Sequence, residues 1–201
     1  MKWSFKSKDV DPVLQRLADS INQKNGSNLV NPEDSVYYAK EVTFYSDFKL
    51  FTFVDLSFTP YYQVRLLDNG FQTIVLDGTI KPFLEAANQS PLVLTKQNVF
   101  EYANVVLSNI EKEEGCSHLV ESIDDIEFSS EPTPEQFVKL ETSIKAATVS
   151  KDNGSFRISA SLVYGDSVFD TTIQVTQDGV VEIVYLEKLL DSMPIKEMIL
   201  E

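Results

Sequence analysis

Cys116 and His118 stand two residues apart beside Gly115, and on an extended segment a thiol and an imidazole at that spacing point the same way. That is the starting arrangement for a metal site or an activated nucleophile. Counting removes both readings. Structural zinc takes about four nitrogen or sulfur ligands and catalytic zinc about three protein ligands, whereas the chain holds 1 Cys and 1 His. No neighbouring residue type orients the imidazole either, so the pair is expected to mark a passage from loop to strand. Just beyond it Glu121, Asp124, Asp125 and Glu127 form an acidic run whose oxygens suit a hard cation such as calcium or magnesium. Their spacing departs from the D-x-D-x-D-G calcium loop, so a solvated edge is the expectation and these four stand as the metal candidates. In the first half Asp55, Tyr61 and Arg65 are the candidates for a ligand pocket, amid Tyr37, Tyr38, Tyr45 and Tyr62. Aromatic residues at strand positions more often build a core than line a pocket.

No G-x-G-x-x-G, G-x-x-x-x-G-K-S/T, G-x-S-x-G or H-E-x-x-H occurs, and the 7 glycines fall mostly at turns. The chain therefore predicts no cofactor and no catalytic residue. A net charge of −14 argues against nucleic acid and against anionic membranes, both of which need a basic patch. It fits instead a basic protein partner, or simple solubility. The most apolar stretch, Phe44 to Phe58, is broken by Ser46, Asp47, Lys49, Thr52 and Asp55, which excludes a membrane helix. The single Cys116 excludes an internal disulfide, and MKWSFKSKDVDP lacks the apolar run of a secretory signal. A reducing cytoplasm is the expected compartment; the sequence leaves the oligomeric state open.

The residues that could do chemistry must be held by elements, and the clearest of these runs from Pro91 to Glu121. Val99, Tyr102, Ala103, Val106, Leu107 and Ile110 recur at helical steps, Thr95 offers an N-cap hydroxyl, and Gly115 offers a stop. Glu111, Glu113 and Glu114 then crowd its C-terminal end. Earlier, Asp11 and Pro12 open a short amphipathic helix through Gln23, with Trp3 and Phe5 ahead of it expected to dock in the core. Val36 to Leu76 reads as strands: one whose two faces are both covered between Phe48 and Phe58, then a hairpin at Asn69-Gly70 of the two-residue kind. Ile80 to Ala87 reads as a short helical turn. Ser117 to Phe128 reads as a strand, and Glu131 to Pro134 as a linker. Thr133, Pro134 and Gln136 start a helical turn through Leu140. Four strands punctuated at Asn153-Gly154, Gly165-Asp166 and Asp178-Gly179 end near Leu186. In the second of them Phe156, Ile158, Ala160 and Leu162 face a core, while Arg157, Ser159 and Ser161 face water. The tail from Glu187 to Leu200, interrupted by Pro194, predicts short turns on a sheet edge.

Leu94, Thr95, Asn98, Val99 and Tyr102 at the helix, then Gly115, Val120 and Glu121, form one set of positions. Tyr164 to Phe169, Gly179 to Glu182, and Leu189, Leu190, Pro194 and Ile195 complete it. On these the stretch from about Pro91 to Ile195 resembles a group of uncharacterised bacterial proteins. That resemblance implies a fold and brings no activity with it.

The sequence thus predicts an α+β protein with largely antiparallel sheets, an N-terminal hairpin region and a C-terminal four-strand meander, packed around one central helix. One domain spanning 1–201 is expected, with a sub-division into 1–130 and 131–201 as the alternative. The expected function is a non-enzymatic binding or interaction module with an acidic surface. The second reading is a small-molecule-binding protein or a carboxylate-based hydrolase built on Asp55, Tyr61 and Arg65.

Overall fold

A computed structural model describes residues 10–112 and 115–196. The expected places of Trp3, Phe5, Glu113, Glu114 and Met198 to Leu200 lie outside them. The chain divides into two compact units, one holding residues 10–41 and 48–75 and the other 42–47 and 76–196. Each is an α+β unit with its own antiparallel sheet. The segment from Glu131 to Pro134 lies inside the second unit.

The first unit opens with helix α1, Pro12–Asn25. Asp11 caps it, its carboxylate accepting the Val13 N–H at 2.8 Å, and Gly26 closes it at φ +65°. Asp11→Ala is expected to lower the stability of this unit by about 1 kcal/mol in a denaturant melt, the usual cost of a lost N-cap. Strands β1 (Ser35–Glu41), β2 (Lys49–Asp55), β3 (Tyr62–Asp68) and β4 (Thr73–Val75) follow in spatial order 1-2-3-4. Leu17, Ala18 and Ile21 of α1 pack on Phe51, Phe53, Val64 and Leu66 of the sheet. Burying each larger side chain contributes about 1.5–3 kcal/mol relative to exposure. Leu50 and Thr52 on the other face of β2 are half-buried, in keeping with the two-sided cover expected of a central strand.

The hairpin after β3 differs from the expected two-residue turn. Asp68 pairs with Thr73, leaving a four-residue loop from Asn69 to Gln72. The cause is local side-chain bonding. Asn69 Oδ1 accepts the N–H groups of Phe71 and Gln72 at 3.0 and 2.8 Å, and Asp68 accepts that of Gly70 at 2.9 Å. Phe71, expected in the strand, is therefore 98% exposed at the loop tip.

The second unit contains α2 (Lys81–Gln89), α3 (Val99–Leu107) and α4 (Pro134–Ser143). Its six-stranded sheet joins β5 (Glu111–Lys112), β6 (Gly115–Val120), β7 (Thr148–Asp152), β8 (Ser155–Tyr164), β9 (Ser167–Val175) and β10 (Val181–Leu190). The order is β10-β9-β8-β6-β5. One edge of β8 is shared, by β7 along Ser155–Ser159 and by β6 along Ser161–Tyr164.

Helix α3 is shorter than its apolar period predicts. At its start Asn98 accepts the Thr95 N–H at 2.7 Å and donates to the carbonyls of Thr43 and Val93, so the preceding turn is knotted by Asn98 rather than capped by the Thr95 hydroxyl. At its end the amide of buried Asn109 donates to the Val105 carbonyl at 2.7 Å. Ile110 then bridges to Gly78, and Glu111 and Lys112 pair with Cys116 and Gly115. The presumed last turn is thus a strand, and Gly115, at φ +91°, opens β6 instead of closing the helix.

Three further departures share one cause, a second cluster on the far face of the sheet. Val120, Ile126, Leu140, Val163, Val168 and Ile195 are buried together there. Ser161, expected in water, is covered on that face along with Val163. The strand after His118 ends at Val120 and turns through a 3-10 segment, Ile123–Asp125, that delivers Ile126 to the cluster. Strand β10 runs on to Leu190, and register shifts after Ile183 and Lys188 bring Leu190 opposite Val168. Beyond it Ile195 bridges to Phe128, and the Ser129 N–H donates to the Pro194 carbonyl at 2.9 Å.

Candidate functional site

Asp55 ends β2 on the face that carries Phe51 and Phe53, fully buried. Its carboxylate accepts the N–H of Asn31 at 3.0 Å and the N–H and hydroxyl of Ser57 at 2.9 and 2.6 Å. Burial pushes this carboxyl up, but those donors outweigh it and hold the group below the usual carboxylate range. Both oxygens are thus engaged in shaping two loops. Arg65 pairs with Thr52 and so stands on the opposite face of the sheet from Asp55. Tyr61 lies just before β3 with most of its ring in solvent. The three side chains do not converge on one pocket.

Cys116 and His118 do share a face of β6, as their spacing predicted. Cys116 is buried, and the imidazole Nδ1 of His118 is buried without a hydrogen-bond partner, so nothing fixes the ring as a base. What the sequence did not join, the fold does. His118 lines a cleft of about 290 Å³ with Phe100, Asn104, Ser108, Leu119, Glu121 and Asp125. One wall is α3, whose Phe100 and Asn104, with Ser108 at its end, recur every four residues. That stripe was visible in the sequence as a flank of the apolar face. Asn104 accepts the Leu119 N–H at 2.8 Å, which fixes this wall against the edge of β6.

The other wall is the turn after β6. Asp125 Oδ2 accepts the N–H groups of Glu121 and Ser122 at 2.9 and 3.0 Å, and Glu121 Oε1 accepts that of Ala147 at 3.2 Å. The acidic run is therefore built into backbone turns. Asp124 does not line the cleft, and Glu127 pairs with Lys196 at 3.1 Å on the surface. Burial lowers the pKa of His118, partly countered by Asp125 and Glu127. Among the described residues no group of three or more His, Cys, Asp or Glu side chains is placed to hold a metal ion. Millimolar calcium or magnesium is accordingly expected to leave the melting temperature unchanged; a dose-dependent rise would reinstate a cation site by mass action.

Sequence reasoning passed over the most exposed apolar element, β10. Val184, Tyr185, Leu186 and Leu189 all lie open to solvent along this ten-residue strand. It is the last strand of the sheet, and among the described residues no strand pairs with its outer edge. An unpaired edge presents a row of backbone donors and acceptors, and natural sheets ordinarily blunt it with charge, proline or cover. Here the run from Ile183 to Leu186 carries no charge, and the register shift between Ile183 and Tyr185 is the one blunting feature within it. The signal in the sequence was VEIVYLEKLL itself, a strand-like run with four consecutive uncharged apolar residues from Ile183 to Leu186.

Among the described residues no helix is long and apolar enough to cross a membrane. Comparison with known proteins gives no match: no family model, no curated protein and no solved structure aligns significantly with the chain.

Proposed function

We propose that the protein is a non-catalytic interaction module of the cytoplasm that docks an extended segment of a basic partner protein along the outer edge of β10. The observation that carries this is the exposed, uncharged run from Val184 to Leu186 on an edge strand. An extended segment laid there would complete the backbone ladder, with alternate side chains meeting Tyr185 and Leu186. Charge selects the partner. A second copy of this chain would bring another net charge of −14 to the contact, and self-repulsion disfavours that pairing. A segment flanked by Lys or Arg would instead meet Glu182, Glu187 and Asp170 around the strand. We also keep the chain with the bacterial group it resembles, which adds no activity to this reading.

The test is a fluorescent peptide of alternating valine and leucine flanked by lysines, titrated into the full chain by anisotropy. Saturable binding that weakens as salt rises is expected, because exposed charges are screened. A Val184→Lys, Leu186→Lys double variant should fold normally, both side chains being exposed, and bind at least about tenfold more weakly, a loss of about 1.4 kcal/mol. Absence of saturable binding, or equal binding by the variant, overturns the reading.

A further inference from the structure

We propose that Asn153 is a modification site: the Gly154 nitrogen attacks its carboxamide and expels ammonia, while the fold holds back two other Asn-Gly pairs. The site is independent of the β10 edge. The three pairs are Asn25-Gly26, Asn69-Gly70 and Asn153-Gly154, and glycine in each leaves the attacking nitrogen without a neighbouring side chain in its way. Hydrogen bonding separates them. At the end of α1 the Asn25 amide donates to the Ile21 carbonyl at 2.9 Å, and the Gly26 N–H serves the helix cap, reaching the Gln23 carbonyl at 3.2 Å. In the loop after β3 the Asn69 Oδ1 accepts two backbone N–H groups at 3.0 and 2.8 Å, and the Gly70 N–H donates to Asp68 at 2.9 Å. Amide and nitrogen must both give up bonds there before they can meet. Asn153 and Gly154 carry no such restraint. They form the exposed two-residue turn between Asp152 and Ser155, at φ +47° and +83°. Among the described residues neither the Asn153 amide nor the Gly154 N–H has a hydrogen-bond partner. A Cβ at Gly154 would meet nothing within 4 Å, so a ring has room to close. The Gly154 nitrogen gives its proton to water and bonds to Asn153 Cγ; the Cγ–Nδ2 bond breaks, ammonia leaves with a proton, and a succinimide remains. Water then opens either carbonyl, giving aspartate or isoaspartate. Both products add a negative charge to a chain already at −14, and isoaspartate also lengthens the backbone of the β7–β8 turn.

Incubation of the full chain in mildly alkaline buffer, followed by tryptic mass spectrometry, reads each pair separately, because cleavage after Lys24, Arg65 and Lys151 puts them in different fragments. An unincubated sample subtracts what digestion adds. Asn153 should lose ammonia at least about fivefold faster than Asn25 or Asn69, since only those two must first break hydrogen bonds. In the urea-unfolded chain the three rates should converge, which assigns the difference to the fold. Asn153→Gly keeps a residue suited to positive φ and removes the amide. The acidic species that the parent chain accumulates first on ion exchange should be absent from it. Equal rates at the three pairs in the folded chain, faster loss at Asn25 or Asn69, the same preference for Asn153 in urea, or an undiminished acidic species in Asn153→Gly overturns the proposal.

Discussion

Gly179→Ala is expected to destabilise the second unit by about 3 kcal/mol or more, from two additive causes. Gly179 sits at φ +89°, where an L side chain costs about 1–3 kcal/mol. A Cβ there would also fall 2.6 Å from the Tyr102 hydroxyl oxygen and 2.7 Å from Leu92 Cδ2, closer than real contacts allow. Overpacking of that kind costs about 1–3 kcal/mol in its own right. The close approach exists for a reason. Tyr102, fully buried in α3 with its ring edge-on to Phe44, donates its hydroxyl proton to the Gly179 carbonyl at 2.7 Å. Tyr102→Phe should therefore cost about 1–3 kcal/mol by leaving that carbonyl unpaired. The double variant separates the terms. Removing the hydroxyl also removes one of the two obstructing atoms, so Tyr102→Phe with Gly179→Ala should cost less than the two singles together. The expected coupling is at least about 0.5 kcal/mol in urea melts; strict additivity would mean the hydroxyl is not the obstacle.

The second large effect belongs to the first unit. Asp68, 2% exposed, accepts Arg16 through both oxygens at 2.8 and 3.0 Å, the Gly70 N–H at 2.9 Å and the Thr73 hydroxyl at 2.5 Å. Asp68→Ala removes the shared acceptor of these donors and should cost about 1–3 kcal/mol, because the partly exposed Arg16 and the Gly70 N–H can turn to water. The same carboxylate gives the unit a pH dependence. Burial pushes Asp68 up, yet the bonds from Arg16, Thr73 and Gly70 hold it below the ordinary range, as Asn31 and Ser57 do for Asp55. A carboxyl depressed in the folded state stabilises it fully above the unfolded value, about 3.9. That contribution is lost as pH falls through the lower, folded value. Acidification below about pH 4 should thus progressively weaken the first unit. In Asp68→Asn the acid-dependent loss should shrink, read as amide exchange in β2 and β3 against pH.

Local chemistry was legible in the sequence wherever it was decided locally. Asp11 and Pro12 begin α1 as read, and Thr133 and Gln136 exchange hydrogen bonds at 2.9 and 3.3 Å to begin α4. The four-strand meander follows its glycine turns for the same reason. Readings failed where distant residues decide. The apolar period of α3 extends past Leu107, but the bond from the Glu111 N–H to the Gly78 carbonyl at 3.0 Å and the pairing with Gly115 and Cys116 take that segment into a sheet. The alternation of β8 misplaced Ser161, because the cluster around Leu140 and Ile195 comes from elements that periodicity within one strand cannot register. The cleft was half legible. His118 and the carboxylates after it stood out by type, but their meeting with Phe100 and Asn104 depends on α3 lying along the edge of β6. Edge position, the property that makes β10 a docking element, is a fact of strand order and no residue type encodes it.

Hydrogen exchange along β10 tests that docking most directly. Outward-facing amides between Val181 and Leu190 exchange fast in the free chain if nothing pairs with them. On adding the lysine-flanked valine–leucine peptide, the β10 amides not bonded to β9 should gain protection, while amides of the first unit stay as they were. Protection elsewhere with β10 unchanged, or outer-edge amides already protected in the free chain, would contradict the account.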